Sequence, residues 1–211
     1  MTTRSATEPG DIVPERTLTD VTGVPVRVPE PGRLTHLQLR RFAGCPVCNL
    51  HLRSVVGRLA EIEAAGVSEV VVFHSTEDEL RPHAADLRRH AAAPREGAAG
   101  HRGAEPGLPL AVVADPDKRL YTEFGVEPSR RAVLDPRAWT PILRGVLLSL
   151  RGLLRRRHPS PPLVPGGGRY GLPGDFLIAG DGRVIACKYG EHAYDQWSVD
   201  ELLALARKEA L

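Results

Sequence analysis

Strand-like and helix-like runs alternate along this chain, and the alternation is what most constrains its fold. Leu34–Phe42 reads as a strand, and Asn49–Ala65 as a helix with apolar residues at helical spacing. Glu69–Phe73 is a short, almost continuous apolar run of the kind buried on both faces in a parallel sheet. Ser75 or Thr76 can cap a helix through Glu79 to His90, with Glu77, Asp78 and Glu79 at its positive end. Leu110–Ala114 is another short buried strand, and Asp115-Pro116-Asp117 starts a helix over Arg119–Phe124 that Gly125 stops. Asp175–Ile178 and Arg183–Tyr189 flank Gly180-Asp181-Gly182, a hairpin turn. Ser198-x-x-Glu201 is a capping box opening a last helix. A further short hairpin is expected over Leu18–Val28 around Thr22-Gly23. This order predicts an α/β fold with a central mixed sheet and helices on both faces.

The chemistry in the sequence sits at the first strand-to-helix junction, Cys45-Pro46-Val47-Cys48. A cysteine at a helix N-terminus meets unpaired backbone N–H groups and the positive end of the macrodipole, both of which favour a thiolate. A second cysteine one turn on lies within reach for a disulfide. Pro46 suits the first helical position, where its missing N–H costs nothing. Cys48, Leu52, Val55, Val56, Leu59 and Ile62 share one helical face, so Cys48 is expected on the buried stripe and Cys45 at the exposed tip.

Rival readings of the pair have weaker support. Zinc needs four ligands; Cys45-x-x-Cys48-x-x-His51 offers three, and there is no second C-x-x-C. A c-type haem needs His after the second Cys, where this chain has Asn49. Two inert cysteines would leave the capped position of Cys45 unused. No cofactor or metal is expected. Cys187, in a late strand, reads as a small core residue.

If the strands run parallel, Cys45, His74, Ser75 and Asp115 gather at their carboxyl ends, where such sheets place functional groups. His74 is then a candidate proton acceptor or thiolate partner near Cys45. Arg40 and Arg41 could add a positive field there. A net charge of +2 gives no support to nucleic-acid binding. No apolar run reaches the ~18 residues of a membrane span, and Met1–Gly10 lacks the apolar centre of a signal peptide, so the expected location is the cytoplasm. Trp139–Leu154 reads as an amphipathic helix, within a stretch from Arg137 to Arg169 that has no acid. That stretch is either a patch for an anionic partner or membrane surface, or a docked helix with a solvated basic end.

Several segments together resemble a known family. They are Arg40–Arg53 around the cysteines, Val70-Val-Val-Phe-His-Ser75, Ala114-Asp-Pro116, Leu120-Tyr-x-x-Phe-Gly-Val126 and Leu172-Pro-Gly-Asp-Phe-Leu-Ile178. They resemble the peroxiredoxin-like proteins of the AhpC/TSA group with the thioredoxin fold. This is the branch that includes the peroxiredoxin-like 2 and prostamide/prostaglandin F synthase proteins. The resemblance implies a thioredoxin-like domain over 17–211, after a flexible tail over 1–16, with insertions at about 93–108 and 155–170. It implies an antioxidant thiol oxidoreductase in which Cys45 attacks a peroxide or related oxidised substrate and Cys48 resolves it. A thioredoxin- or glutathione-like thiol would then reduce the disulfide. Pro173 matches the cis-proline that faces the redox pair in this fold. Phe42 stands where peroxiredoxins carry Thr, Gly44 where thioredoxins carry Trp, and Gln38 and Leu39 near the place of a buried acid in thioredoxins. The alternatives are a thioredoxin-like disulfide reductase and a non-enzymatic redox-sensing or metal-binding module.

Overall fold

A computed structural model of the chain describes residues 6–92, 110–126 and 171–209, together with the single positions 143, 147 and 168. The sequence readings for 93–108, for most of 139–154, and for nearly all of 155–170 lie outside the described residues.

Five strands form the central sheet. They are β3 (Leu34–Arg40), β4 (Val67–Phe73), β5 (Ala111–Ala114), β6 (Gly174–Ile178) and β7 (Val184–Tyr189), in the spatial order β5-β4-β3-β6-β7. β3, β4 and β5 are parallel, in a register that aligns Arg40 with Phe73 and Phe73 with Ala114. β6 and β7 add an antiparallel hairpin, with Leu39 opposite Gly174. The carboxyl ends of the three parallel strands therefore finish on one edge, as the alternation predicts. A separate hairpin, β1 (Arg16–Thr19) and β2 (Pro25–Val28), hangs on β5 through Val21 N–H, which donates to Val112 O at 2.8 Å.

The helices follow the sequence pattern with shifted bounds. α1 (Pro46–Gly57) ends at Arg58, and α2 (Leu59–Ala64) continues after that break, so the expected single helix is two. α3 (Glu77–Ala92) is opened by Thr76: its hydroxyl accepts from Glu79 N–H at 3.3 Å, and Glu79 accepts from Thr76 N–H at 3.1 Å. Ser75, the other capping candidate, instead accepts from Ala43 N–H at 2.9 Å. α4 (Arg119–Glu123) starts under Asp115, whose carboxylate accepts from Arg119 and Leu120 N–H, both at 2.9 Å. α5 (Val199–Glu209) has the expected Ser198/Glu201 box.

Strand alternation divides the core into two layers. Leu37 and Leu39 of β3 join Val70, Val72, Phe176 and Phe124 on the face covered by α4. Val71, Phe73 and Leu177 face the other way, against α1, α3 and α5. The N-terminal segment corrects a reading. Residues 10–13 do not form a loose tail: Gly10 N–H donates to Val184 O, and Val13 N–H to Gly182 O, at 2.9 and 2.8 Å. The start of β7 has unpaired ladder groups there, and this segment pairs with them. Among the described residues no helix is long and apolar enough to cross a membrane.

Leu52 is wholly buried where α1 meets the sheet. Leu52→Ala should destabilise the fold by about 2–5 kcal/mol, read as a lower urea midpoint with an unchanged slope. A loss under about 1 kcal/mol would mean that α1 does not dock here.

Candidate active site

β3 ends at Arg40, and the chain from Arg41 to Cys45 folds back tightly over the edge of the sheet. Ala43 N–H is held by Ser75, Gly44 adopts φ 76°, and Cys45 N–H donates to Phe42 O at 3.1 Å. Phe42, Ala43, Val47 and, from the β1–β2 hairpin, Val21 pack in the same core as the cysteines. The turn thus draws Cys45 inward. It is 1% exposed, where the sequence suggested an exposed tip. Cys48 is on the buried stripe of α1 as expected.

Both cysteines are free, with Sγ atoms 2.9 Å apart. Cys45 is the N-cap of α1, and Pro46 occupies the first helical turn. Cys45 Sγ accepts from Cys48 N–H at 3.4 Å, from the Cys48 thiol, and from Arg41 Nη1 at 3.9 Å. Burial pushes the Cys45 thiol up. The Cys48 thiol, the Arg41 charge and the N–H groups of Cys48 and Val47 outweigh it and bring Cys45 down to about 6. Burial pushes the Cys48 thiol well above its ordinary value, and the neighbouring Cys45 adds to that. The pair is therefore asymmetric: a thiolate at the cap, held by a protonated thiol one turn below.

His74 follows β4, and its N–H donates to Arg41 O at 3.3 Å, so it shares the edge with the redox turn. Its ring is 1% exposed and stacks edge-on to Tyr121, with 5.5 Å between centroids. Among the described residues neither ring nitrogen has a side-chain hydrogen-bond partner. Burial, with Lys118 and Arg41, lowers it to about 4. At neutral pH it is an uncharged acceptor, not a cation for the thiolate; Arg41 fills that role. Asp115 also lies on this edge, but its carboxylate is spent on the start of α4.

Pro173 requires a correction. The bond from Leu172 is not cis; among the described residues the cis bond joins Val28 and Pro29. Pro173 O accepts from Gly190 N–H at 2.9 Å, one step beyond the β6–β7 ladder. Its ring fills the space beside Gly190, where a Cβ would stand 2.6 Å from Pro173 Cγ. Cys187 is half-buried at the margin of the core, its thiol pushed up by burial.

Sequence reasoning missed what lies under the pair. His36, Gln38 and Arg40 alternate along β3 and are all buried. His36 Nδ1 is 2.9 Å from Glu69 Oε2, and its Nε2 is 3.1 Å from Asp175 Oδ1. Gln38 donates to Glu69 and accepts from Arg40 Nη2 at 2.6 Å. Arg40 holds Asp175 through Nη2 at 2.5 Å and Nη1 at 3.2 Å. His51 of α1 places Nε2 3.4 Å from Arg40 Nη2, so it faces this network. Burial alone would neutralise His36, but Glu69 and Asp175 carry it up to about 9. Arg40 and His36 overcome burial to hold Asp175 well below the usual carboxylate range. Burial, helped by Arg40, lowers His51 to about 3. The available signal was polar residues at every second position of a central strand. Among the described residues no group of three His, Cys, Asp or Glu is arranged to hold a metal ion.

The fold has solved counterparts. A structure of a cysteine-to-serine mutant of peroxiredoxin 6 from Arenicola marina matches 98% of this chain and 74% of its own, with a TM-score of 0.65 and 13% identity. Peroxidoxin BcpB from Mycobacterium tuberculosis matches 95% of this chain and 97% of its own, with a TM-score of 0.57 and 16% identity. The fold is thioredoxin-like, as in these peroxiredoxins. No protein-family model matches the chain, and no curated protein matches it in sequence.

Two titrations oppose one another in the pH dependence of stability. Cys45, lowered from 9.0 to about 6, adds stability as pH rises across that window. His36, raised from 6.5 to about 9, contributes fully below 6.5 and loses its contribution as pH climbs through 9. In a Cys45→Ser background the second dominates below pH 8.5, before the raised thiols Cys48 and Cys187 begin to ionise in the unfolded chain. Unfolding free energy in that variant should fall on the order of 2 kcal/mol between pH 6.5 and 8.5. Adding His36→Gln should flatten the profile over the same range.

Proposed function

We propose that this protein is a thiol-dependent oxidoreductase that acts as a peroxiredoxin-like antioxidant enzyme, with Cys45 as nucleophile and Cys48 as resolving thiol. The observation that carries the reading is the Cys45 sulfur: a buried N-cap thiol lowered to about 6, facing a protonated Cys48 at 2.9 Å. The Cys45 thiolate attacks one peroxide oxygen, and the O–O bond breaks. Cys45 becomes a sulfenic acid, and the other oxygen leaves as an alkoxide or hydroxide that takes a proton. Cys48 then attacks the Cys45 sulfur, its proton goes to the departing hydroxide, and water and the disulfide form. An external thioredoxin- or glutathione-like dithiol or thiol pair returns both cysteines to the reduced state. His74, neutral at this edge, can take or relay a proton there. Pro46 sets the start of the helix that carries Cys48, and Pro173 supports the neighbouring strand.

The reading takes 17–211 as one thioredoxin-like domain, with 93–108 and 155–170 as insertions. It places the chain in the branch with the peroxiredoxin-like 2 and prostamide/prostaglandin F synthase proteins, on the sequence segments quoted above. Three cysteines, two of them in one C-x-x-C, are no disulfide scaffold and suit a reducing compartment such as the cytoplasm. Phe42 in place of a peroxide-positioning Thr favours one alternative, a thioredoxin-like reductase of small disulfides.

Peroxide consumption with a thiol donor should be lost in Cys45→Ser. Equal rates in wild type and variant would overturn the reading. Cys48→Ser should stop after a single turnover with Cys45 trapped as a sulfenic acid, detected by dimedone labelling. Disulfide reduction without any peroxide turnover would select the alternative.

A further inference from the structure

Arg40 lies one residue before the redox turn and is wholly buried. Its guanidinium touches three elements from the inside of the sheet. It meets Gln38 of its own strand through Nε at 3.1 Å, Asp175 of β6 through Nη1 and Nη2, and His51 of α1 through Nη2. Its carbonyl accepts the Tyr121 hydroxyl, which ties in α4. Asp175 also accepts from Trp197 N–H at 3.3 Å, just before α5.

What Arg40 holds is the frame of the two sulfurs. Side chains alternate across a strand end, so with Arg40 turned under the sheet edge, Arg41 is turned over it. There the Arg41 guanidinium reaches Cys45 Sγ at 3.9 Å, and its backbone N–H supports the Cys48 sulfur. His51 sits one turn beyond Cys48 on the same face of α1, so its contact with Arg40 sets the depth and rotation of that helix.

Stability alone does not account for this layer. Burying ions costs more than filling the same volume with apolar side chains, and matched ion pairs are often replaceable by hydrophobic residues without loss. What a guanidinium supplies and a methionine does not is a planar fork that fixes three partners at set angles.

We propose that Arg40 is a positioning residue for the Cys45–Cys48 pair, locking β3, β6 and α1 together so that Arg41 and the first turn of α1 meet the two sulfurs in register. The inference rests on the reading of Cys45 as the reactive thiolate.

The test uses Arg40→Met/Asp175→Leu, which removes one cation and one anion and leaves His36 with Glu69. Arg40→Lys is the second variant, keeping the charge without the fork. Folding is checked by circular dichroism. Two quantities are then read in the full chain: the pH midpoint of Cys45 alkylation by iodoacetamide, located by peptide mass mapping, and the reduction potential of the pair against glutathione. The double variant should raise the midpoint by about one pH unit or more, a tenfold loss of thiolate well below it. The potential should shift with it, and Arg40→Lys should move both partway. A folded variant of either kind with the wild-type midpoint and potential overturns the proposal and leaves Arg40 a structural residue. If wild-type Cys45 itself shows no alkylation below pH 8, the reading of Cys45 fails first, and this inference falls with it.

Discussion

The pairing of Arg40 with Asp175 in the dry layer between the sheet and α1 is the interaction on which the rest of the site depends. Neither charge is reachable by water, so each must find its counter-charge within the protein or the fold pays a large desolvation cost. His36 and Glu69 add a second cation and a second acid, and the four groups balance. Balance is what lets a central strand carry His36, Gln38 and Arg40 on one face while Leu37 and Leu39 fill an apolar core on the other. The register of β3 against β4 and β6 follows, since a slip of one residue would turn the charged face into the apolar layer.

Local donors explain why a buried cysteine can be acidic. Burial disfavours a thiolate, and Cys45 is as buried as any core residue. Its charge is kept by short-range donors: the Cys48 thiol, the Cys48 N–H and the Arg41 guanidinium. Such contacts are stronger in a low-dielectric site than at an exposed helix tip, because water does not compete. Cys48 bears the opposite consequence. Placed one turn deeper, where burial and the neighbouring Cys45 outweigh the help it has from Arg41, it holds its proton and keeps its reactivity for a second step.

The element order, the Ser198/Glu201 capping box, the β6–β7 turn and the inward face of α1 were legible because each rests on local rules that act over a few residues. Ser198/Glu201 is read from spacing alone, as is Gly180-Asp181-Gly182, whereas the choice of Thr76 over Ser75 as the cap of α3 was left open until Ser75 was seen to hold Ala43 N–H. What failed was anything set by a distant strand. Asp175 lies 135 residues from Arg40, and no local pattern announces that they meet. Pro173 was expected to be cis and is not, while its carbonyl pairs with Gly190, seventeen residues on. Residues 10–13 looked like a tail because their partner, the start of β7, comes far later in the chain.

By itself the sequence determined that a cysteine pair would stand at a strand-to-helix junction in an α/β sheet, with Cys48 on the buried side. Periodicity and helix-end chemistry are local and decide that much. Only the tertiary structure decided that Cys45 is enclosed, that Arg41 rather than His74 supplies its cation, and that a buried ion network lies beneath α1. Those outcomes depend on which strand lies beside which and in what register, and on the need to pair every charge removed from water.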